Sequence, residues 1–206
     1  MKIKSPNGSY YWDEYLKDVP ICQEISEKQD LIKEEVLNIL NQNILIDHPN
    51  YKNGNQPLYY NSWKALPLSH AGKEYHNQYL DYIDELIKTS TKLMPKTYSI
   101  IKDMVESKEI ISAMVSRVEP GTRITHHTEP KEYMKIHLPI ICDPGCKMLV
   151  NREERVWECG KLLSFNAGEY HGVIHKGTSE RVIFAIDVSV NYLSQYVPEI
   201  KNAYIK

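Results

Sequence analysis

Residues 125–130 read THHTEP, which puts two imidazoles and a carboxylate within five positions. That combination can bind a metal, and strand geometry decides which histidine takes part. On a β-strand, residues i and i+2 face one side while neighbours face opposite sides. His127 therefore shares a side with Glu129, and His126 shares one only with Thr128. A third ligand must come from elsewhere, and His171 in EYHGVIHKG stands on a later strand after a glycine-containing loop. Two imidazoles and one carboxylate on one side of an ion leave positions for a co-substrate and dioxygen, which suits non-haem Fe(II). Structural zinc instead tends to close its site with a fourth protein ligand.

Arg181 in SERVIFAIDV follows His171 by ten residues. A hairpin turning about Gly177 would set residue 173 opposite residue 181, with Arg181 on the face of His171 and roughly 7 Å along the sheet. From there its planar guanidinium could grip the far carboxylate of a five-carbon diacid that chelates the metal through its other end. A turn centred half a residue later would point Arg181 outward, so spacing alone leaves its direction open.

Strands with tight turns must carry these residues, and the pattern from residue 111 onward supplies eight of them: ISAMVSRV, TRITHH, YMKIHLPII, CKMLVN, RVWE, KLLSFN, HGVIHK and RVIFAIDVSV. EPG, DPG, NREE, ECG, NAGE and KGTSE punctuate them. Short strands at this spacing predict an antiparallel barrel or jelly roll. The first 110 residues read as mostly helical and predict a layer packed on the sheet. In ICQEISEKQDLIKEEVLNILNQ, Ile25, Ile32, Val36, Ile39 and Leu40 fall on one face. GKEYHNQYLDYIDELIKTSTKL does the same with Tyr75, Tyr79, Tyr82, Ile83, Leu86 and Ile87 until Pro95, after which KTYSIIKDMVES reads as a further short helix. DHPNYKNGNQPLYY between them predicts loop, and Trp63 and Leu66 in SWKALPL predict a short extended return to the core. The expected organisation is one domain over 1–206, with helices to 110, a β-barrel core over 111–190 and a C-terminal tail over 191–206.

The bulk properties exclude some partners. A formal net charge of −2 supplies no electrostatic footprint for nucleic acid or membrane. No apolar run reaches the roughly 18 residues of a membrane span, and MKIKSPNGSYYWDEYL lacks an apolar leader. A cytoplasmic protein is expected, with Cys22, Cys142, Cys146 and Cys159 as free thiols, since none forms a CxxC pair. Spacing permits a Cys142–Cys146 bridge across DPG, but free thiols are the simpler reading.

Residues 62–188 resemble the aspartyl/asparaginyl β-hydroxylase family of Fe(II)/2-oxoglutarate-dependent oxygenases. The similarity runs through SWKALPL, MPKTYSIIKDM, SRVEPGTRITHHT, KIHL, WECGKLLSFNAGEYHGVIH and SERVIFAIDV, in order and at matching spacing. It implies a mainly β fold with N-terminal helices and a double-stranded β-helix core of the jelly-roll or cupin type. It places His127 and His171 at the metal positions and His126 where the family often has proline. It implies that Arg181 and Ser116 hold the far carboxylate of 2-oxoglutarate, and that Lys135 and His137 complete the co-substrate pocket. The chain departs from the pattern at Glu129, where animal members have glycine and free amino-acid hydroxylases of the wider group have aspartate. Lys135 replaces a common arginine, keeping the charge and losing the fork. The implied activity is hydroxylation of a C–H bond with Fe(II), 2-oxoglutarate and O2, on an amino acid or amino-acid-derived small molecule. Two alternatives stand beside it: hydroxylation of Asp or Asn in a peptide or protein, and a cupin-type module that binds a metal or ligand without turnover.

Overall fold

The computed structural model describes residues 3–48, 52–53, 56–70 and 80–205. Three helices come first: α1 (Asp13–Leu16), α2 (Pro20–Glu27) and α3 (Gln29–Gln42). The stretch expected as one helix is two, broken at Lys28, where the backbone turns to φ −99° and ψ 15°. Pro20 opens α2, where its missing N–H is not needed. Asn43 closes α3 in the left-handed conformation at φ 52°. The predicted apolar face holds, with Ile25, Ile32, Val36 and Ile39 buried and Leu40 packed beside them.

Two-residue strand β1 (Ile46–Asp47) runs into the segment expected as loop, which itself carries three more, β2 (Lys52–Asn53), β3 (Gln56–Pro57) and β4 (Tyr59–Tyr60). What was expected as a short extended return is an eight-residue strand, β5 (Trp63–His70), paired antiparallel along the first long strand of the second half. Helices α4 (Leu80–Leu93) and α5 (Pro95–Glu106) follow. Tyr75 and Tyr79 of the expected α4 face lie outside the described residues.

The eight expected strands are all present: β6 (Ile110–Val118), β7 (Arg123–His127), β8 (Tyr133–Ile141), β9 (Cys146–Val150), β10 (Glu153–Val156), β11 (Leu163–Asn166), β12 (His171–His175) and β13 (Arg181–Ser189). They divide between two antiparallel sheets, β1-β5-β6-β13-β8-β11 and β10-β9-β12-β7-β4. Successive strands cross repeatedly from one sheet to the other, which is the winding of a double-stranded β-helix. Helices α6 (Val190–Leu193) and α7 (Pro198–Ile205) end the described chain.

Two expectations from the sequence do not hold. β12 and β13 are not a hairpin, because β12 pairs with β7 and β9 while β13 pairs with β6 and β8 in the opposite sheet. Cys142 and Cys159 are not free thiols; they are bonded to each other, and Cys22 and Cys146 are free and buried. A bridge from Cys142 to Cys146 would have stayed within one turn, whereas the observed bond joins the end of β8 to the loop before β11.

Alternation along the central strands builds two cores. On β13, Val182, Phe184, Ile186 and Val188 face the helices, as do Met134, Ile136, Leu138 and Ile140 on β8. The opposite faces of the same strands line a cavity of about 740 Å³ between the sheets, presenting Arg181, Ile183, Ala185 and Asp187 from β13 and Lys135 and His137 from β8. A smaller core that includes Met148, Phe165, Val173 and Ile183 closes the space around it.

Candidate functional site

His127 ends β7 and His171 begins β12, and the two are direct cross-strand partners with ring centres 4.4 Å apart. Glu129 lies beyond the end of β7, where its N–H donates to the Ala167 carbonyl at 2.9 Å. Its Oε1 is 3.4 Å from His127 Nε2 and 3.9 Å from His171 Nε2. One ligand atom from each of the three residues falls within 4.8 Å of the other two, and among the described residues no other group of three His, Cys, Asp or Glu side chains converges this way. His126 faces away and stacks on Tyr170 with ring centres 5.1 Å apart, as alternation requires.

Hydrogen bonds set the imidazole tautomers. Nδ1 of His127 lies 2.7 Å from the Thr125 carbonyl, and Nδ1 of His171 lies 2.7 Å from the Glu169 carbonyl. A carbonyl only accepts, so each Nδ1 carries a proton, and in a neutral ring Nε2 is then the nitrogen left to ligate. Burial, then His127 beside it, pulls the His171 imidazole down to about 3, which keeps it neutral and able to ligate. Burial opposes charge on Glu129, but the Lys135 ammonium beside it holds the carboxyl well below the usual range. The three donors fit a divalent metal with open positions facing the cavity.

Arg181, buried to 2% exposure, lies on the cavity wall. Its Nη1 reaches Ser116 Oγ at 3.3 Å and the Ser116 carbonyl at 3.4 Å, and its guanidinium carbon sits 4.7 Å from the Trp157 ring centre. Among the described residues, Nε is buried without a hydrogen-bond partner. Trp63 Nε1 also donates to Ser116 Oγ, at 3.0 Å. Since both neighbours donate to that oxygen, the hydroxyl proton of Ser116 is left to be given away. A buried guanidinium with an unpaired N–H beside a serine donor fits an anion such as a carboxylate.

His137 lines the same cavity, and its Nδ1 accepts from Trp157 Nε1 at 3.3 Å. Indole only donates, so the proton of His137 sits on Nε2, the reverse of the two candidate ligands. Burial, then Arg181, keeps this imidazole far below its ordinary range and neutral. Lys135 is placed differently: its Nζ lies 2.7 Å from Glu129 Oε2 and 3.0 Å from Asp187 Oδ1. Those two carboxylates raise the ammonium against the cost of burial, while burial raises Asp187 more than Lys135 lowers it.

The seven residues singled out in the sequence, His127, Glu129, His171, Ser116, Lys135, His137 and Arg181, all line one cavity. Arg181 points inward even though the hairpin is absent, because its strand belongs to the facing sheet. The sequence reading missed Asp187, Trp157 and Trp63. Asp187 had a signal, as the one acid on the otherwise uncharged i+2 series Ile183, Ala185, Asp187 that follows Arg181. Nothing local marks the two tryptophans, whose roles depend on contacts across the fold.

Known proteins share this chain's sequence to a measurable degree. The human aspartate beta-hydroxylase domain-containing protein 2 is 26% identical over 182 residues, covering 84% of this chain and 49% of that protein. The human aspartyl/asparaginyl beta-hydroxylase is 30% identical over 105 residues, covering 49% of this chain and 14% of that protein. The chain thus spans about half the length of the first relative or less of the second. Among solved structures, a Pseudomonas putida prolyl-4-hydroxylase matches with a TM-score of 0.45 at 15% identity, over 78% of this chain and 86% of that one. A cupin-like protein from Thermotoga maritima matches with a TM-score of 0.43 at 11% identity, over 72% and 83%. The family profile described as aspartyl/asparaginyl beta-hydroxylase matches residues 26–190, and the chain belongs to that family.

Proposed function

We propose that this chain is an Fe(II)- and 2-oxoglutarate-dependent hydroxylase acting on a C–H bond of an amino acid or amino-acid-derived small molecule. The observation that carries this reading is the pairing, in one cavity, of the His127–Glu129–His171 triad with the buried, donor-rich pair Arg181 and Ser116. Bound iron with 2-oxoglutarate would supply the oxidation, the two atoms of O2 ending in succinate and in the hydroxylated product as CO2 is lost. His127 and His171 offer unprotonated Nε2 atoms, and Glu129 offers Oε1. Arg181 and Ser116 take the far carboxylate of the co-substrate. His137 turns an N–H donor into the same space. Ile183, Val173, Phe165 and Met148 exclude water around these groups, which strengthens each charge-assisted contact. A volume of about 740 Å³ holds a five-carbon diacid with a small substrate beside it.

The names of the relatives favour a second reading, an aspartyl or asparaginyl side chain within a peptide or protein. One assay separates the readings: succinate release by purified protein given Fe(II), ascorbate, 2-oxoglutarate and O2, across free amino acids and Asp- or Asn-containing peptides. We expect release that rises with one free amino acid and falls to background in His171→Ala. Stimulation by peptides alone would move the substrate to the second reading. No release from folded, iron-loaded protein would leave a module that binds without turnover.

A further inference from the structure

Lys135 is where the chain parts from the arrangement its family resemblance implies. Residue 135 is expected to grip the co-substrate, yet its ammonium is already engaged by two carboxylates, Glu129 Oε2 at 2.7 Å and Asp187 Oδ1 and Oδ2 at 3.0 and 3.2 Å. The placement is built into the sheet, since Lys135 and Asp187 are direct partners in the β8–β13 ladder. Both side chains are only 12% exposed, so the pair cannot drift into solvent.

Glu129 needs such a partner. It stands on a loop past the end of β7, has a longer side chain than aspartate, and keeps 34% of its side-chain surface open. Ordering a free glutamate side chain costs rotamer entropy. A charge-assisted hydrogen bond to one oxygen removes most of that freedom before any metal arrives. With Oε2 committed to Lys135, Oε1 is the oxygen left facing His127 and His171, at 3.4 and 3.9 Å.

We propose that Lys135, braced by Asp187, is a positioning residue for the metal rather than a co-substrate ligand: it holds Glu129 with one oxygen turned toward His127 and His171. This rests on the reading of the triad as a metal site and does not depend on which substrate is hydroxylated. It also makes a diagnostic prediction of sign. Removing a cation beside a divalent ion should by Coulomb's law tighten metal binding, whereas loss of a positioning contact should weaken it, typically by about 10- to 100-fold.

The test is Co(II) binding to the metal-free protein, without co-substrate, by calorimetry and by the Co(II) d–d absorption. It compares wild type with Lys135→Met, Glu129→Ala and the double variant, with thermal melts to confirm folding. We expect Lys135→Met to weaken Co(II) by about tenfold and to change the d–d spectrum. In the Glu129→Ala background the same substitution should change the affinity by less than about twofold, the non-additivity of a coupled pair. Unchanged or tighter binding in Lys135→Met would overturn the proposal, as would equal losses in both backgrounds. So would a loss of 2-oxoglutarate affinity, titrated separately into the Co(II)-loaded proteins, with metal affinity intact, which would return Lys135 to the co-substrate. Should Lys135→Met not fold, Asp187→Asn, which weakens the brace and keeps its shape, should weaken Co(II) in the same direction; no change there counts against the proposal. A wild type that binds no Co(II), or binds it equally well as His171→Ala, would sink the metal-site reading itself.

Discussion

Three of the histidines that line the cavity, His127, His137 and His171, are held in two tautomers, and the group at Nδ1 makes the difference. A backbone carbonyl two residues upstream holds the proton on Nδ1 of His127 and His171; the Trp157 indole, a pure donor, keeps it off Nδ1 of His137. Burial and Arg181 hold His137 neutral through the physiological range, so Trp157 sets its tautomer and not its charge. Trp157→Phe keeps a ring near Arg181 and removes the N–H. We expect long-range 1H–15N NMR to show His137 as the Nε2–H tautomer in wild type and as a mixture in the variant. Affinity for 2-oxoglutarate should fall about threefold to tenfold, the worth of one modest hydrogen bond. An unchanged His137 spectrum would mean that the contact does not choose the tautomer. At this scale the three candidate ligands were legible because two lie two residues apart and the third at a strand start. The residues that brace their neighbours in the cavity were not, because Trp157 meets His137 across 20 positions and Asp187 meets Lys135 across 52.

Two turns with no chemistry of their own set where β13 begins. Asp143, between β8 and β9, accepts from the N–H groups of Gly145, Thr178 and Ser179 at 2.7, 2.9 and 2.8 Å and from Ser179 Oγ at 2.9 Å. The approach needs glycine on the far side, since a Cβ at Gly177 would stand 1.8 Å from Asp143 Oδ1. The bonds from Ser179 and Gly145 hold this carboxyl below its ordinary range. A depressed folded value means the contribution is present above the unfolded value near 3.8 and is lost as pH falls through the folded one. Asp143→Asn should therefore lower the urea midpoint at pH 6 and flatten its decline toward pH 3; parallel pH curves for the two proteins would refute this. The clamp also shows what the sequence could not convey. Local alternation located all eight core strands, yet the membership of β12 and β13 in different sheets depends on contacts between distant turns, and the hairpin reading failed there. β5 was underread for a related reason: with Ala65, Leu66, Leu68 and Ser69 all buried it shows no period-two pattern, and Pro67 argues against a strand.

Across the whole molecule, stability and chemistry are carried on opposite faces of the same strands. The outward residues of β6, β8 and β13 pack under α2, α3 and α5, and Glu35 of α3 ties the helices together by accepting from the N–H groups of Lys96 and Thr97 and from the Thr97 hydroxyl. The inward residues form the cavity. Between the two faces, β13 is held by ladders to β6 and β8 along its length, so a loss of packing behind it need not move Arg181 or Asp187. Ile39, fully buried in the helical layer and absent from the cavity wall, tests this separation. Ile39→Ala should cost about 2–5 kcal/mol and lower the melting temperature by on the order of 10 °C. At a temperature where the variant remains folded, its Co(II) affinity should stay within about twofold of wild type, as expected for sites that share no partners. A tenfold loss there would mean that the helices shape the metal site through the sheet and that the ladders do not insulate it.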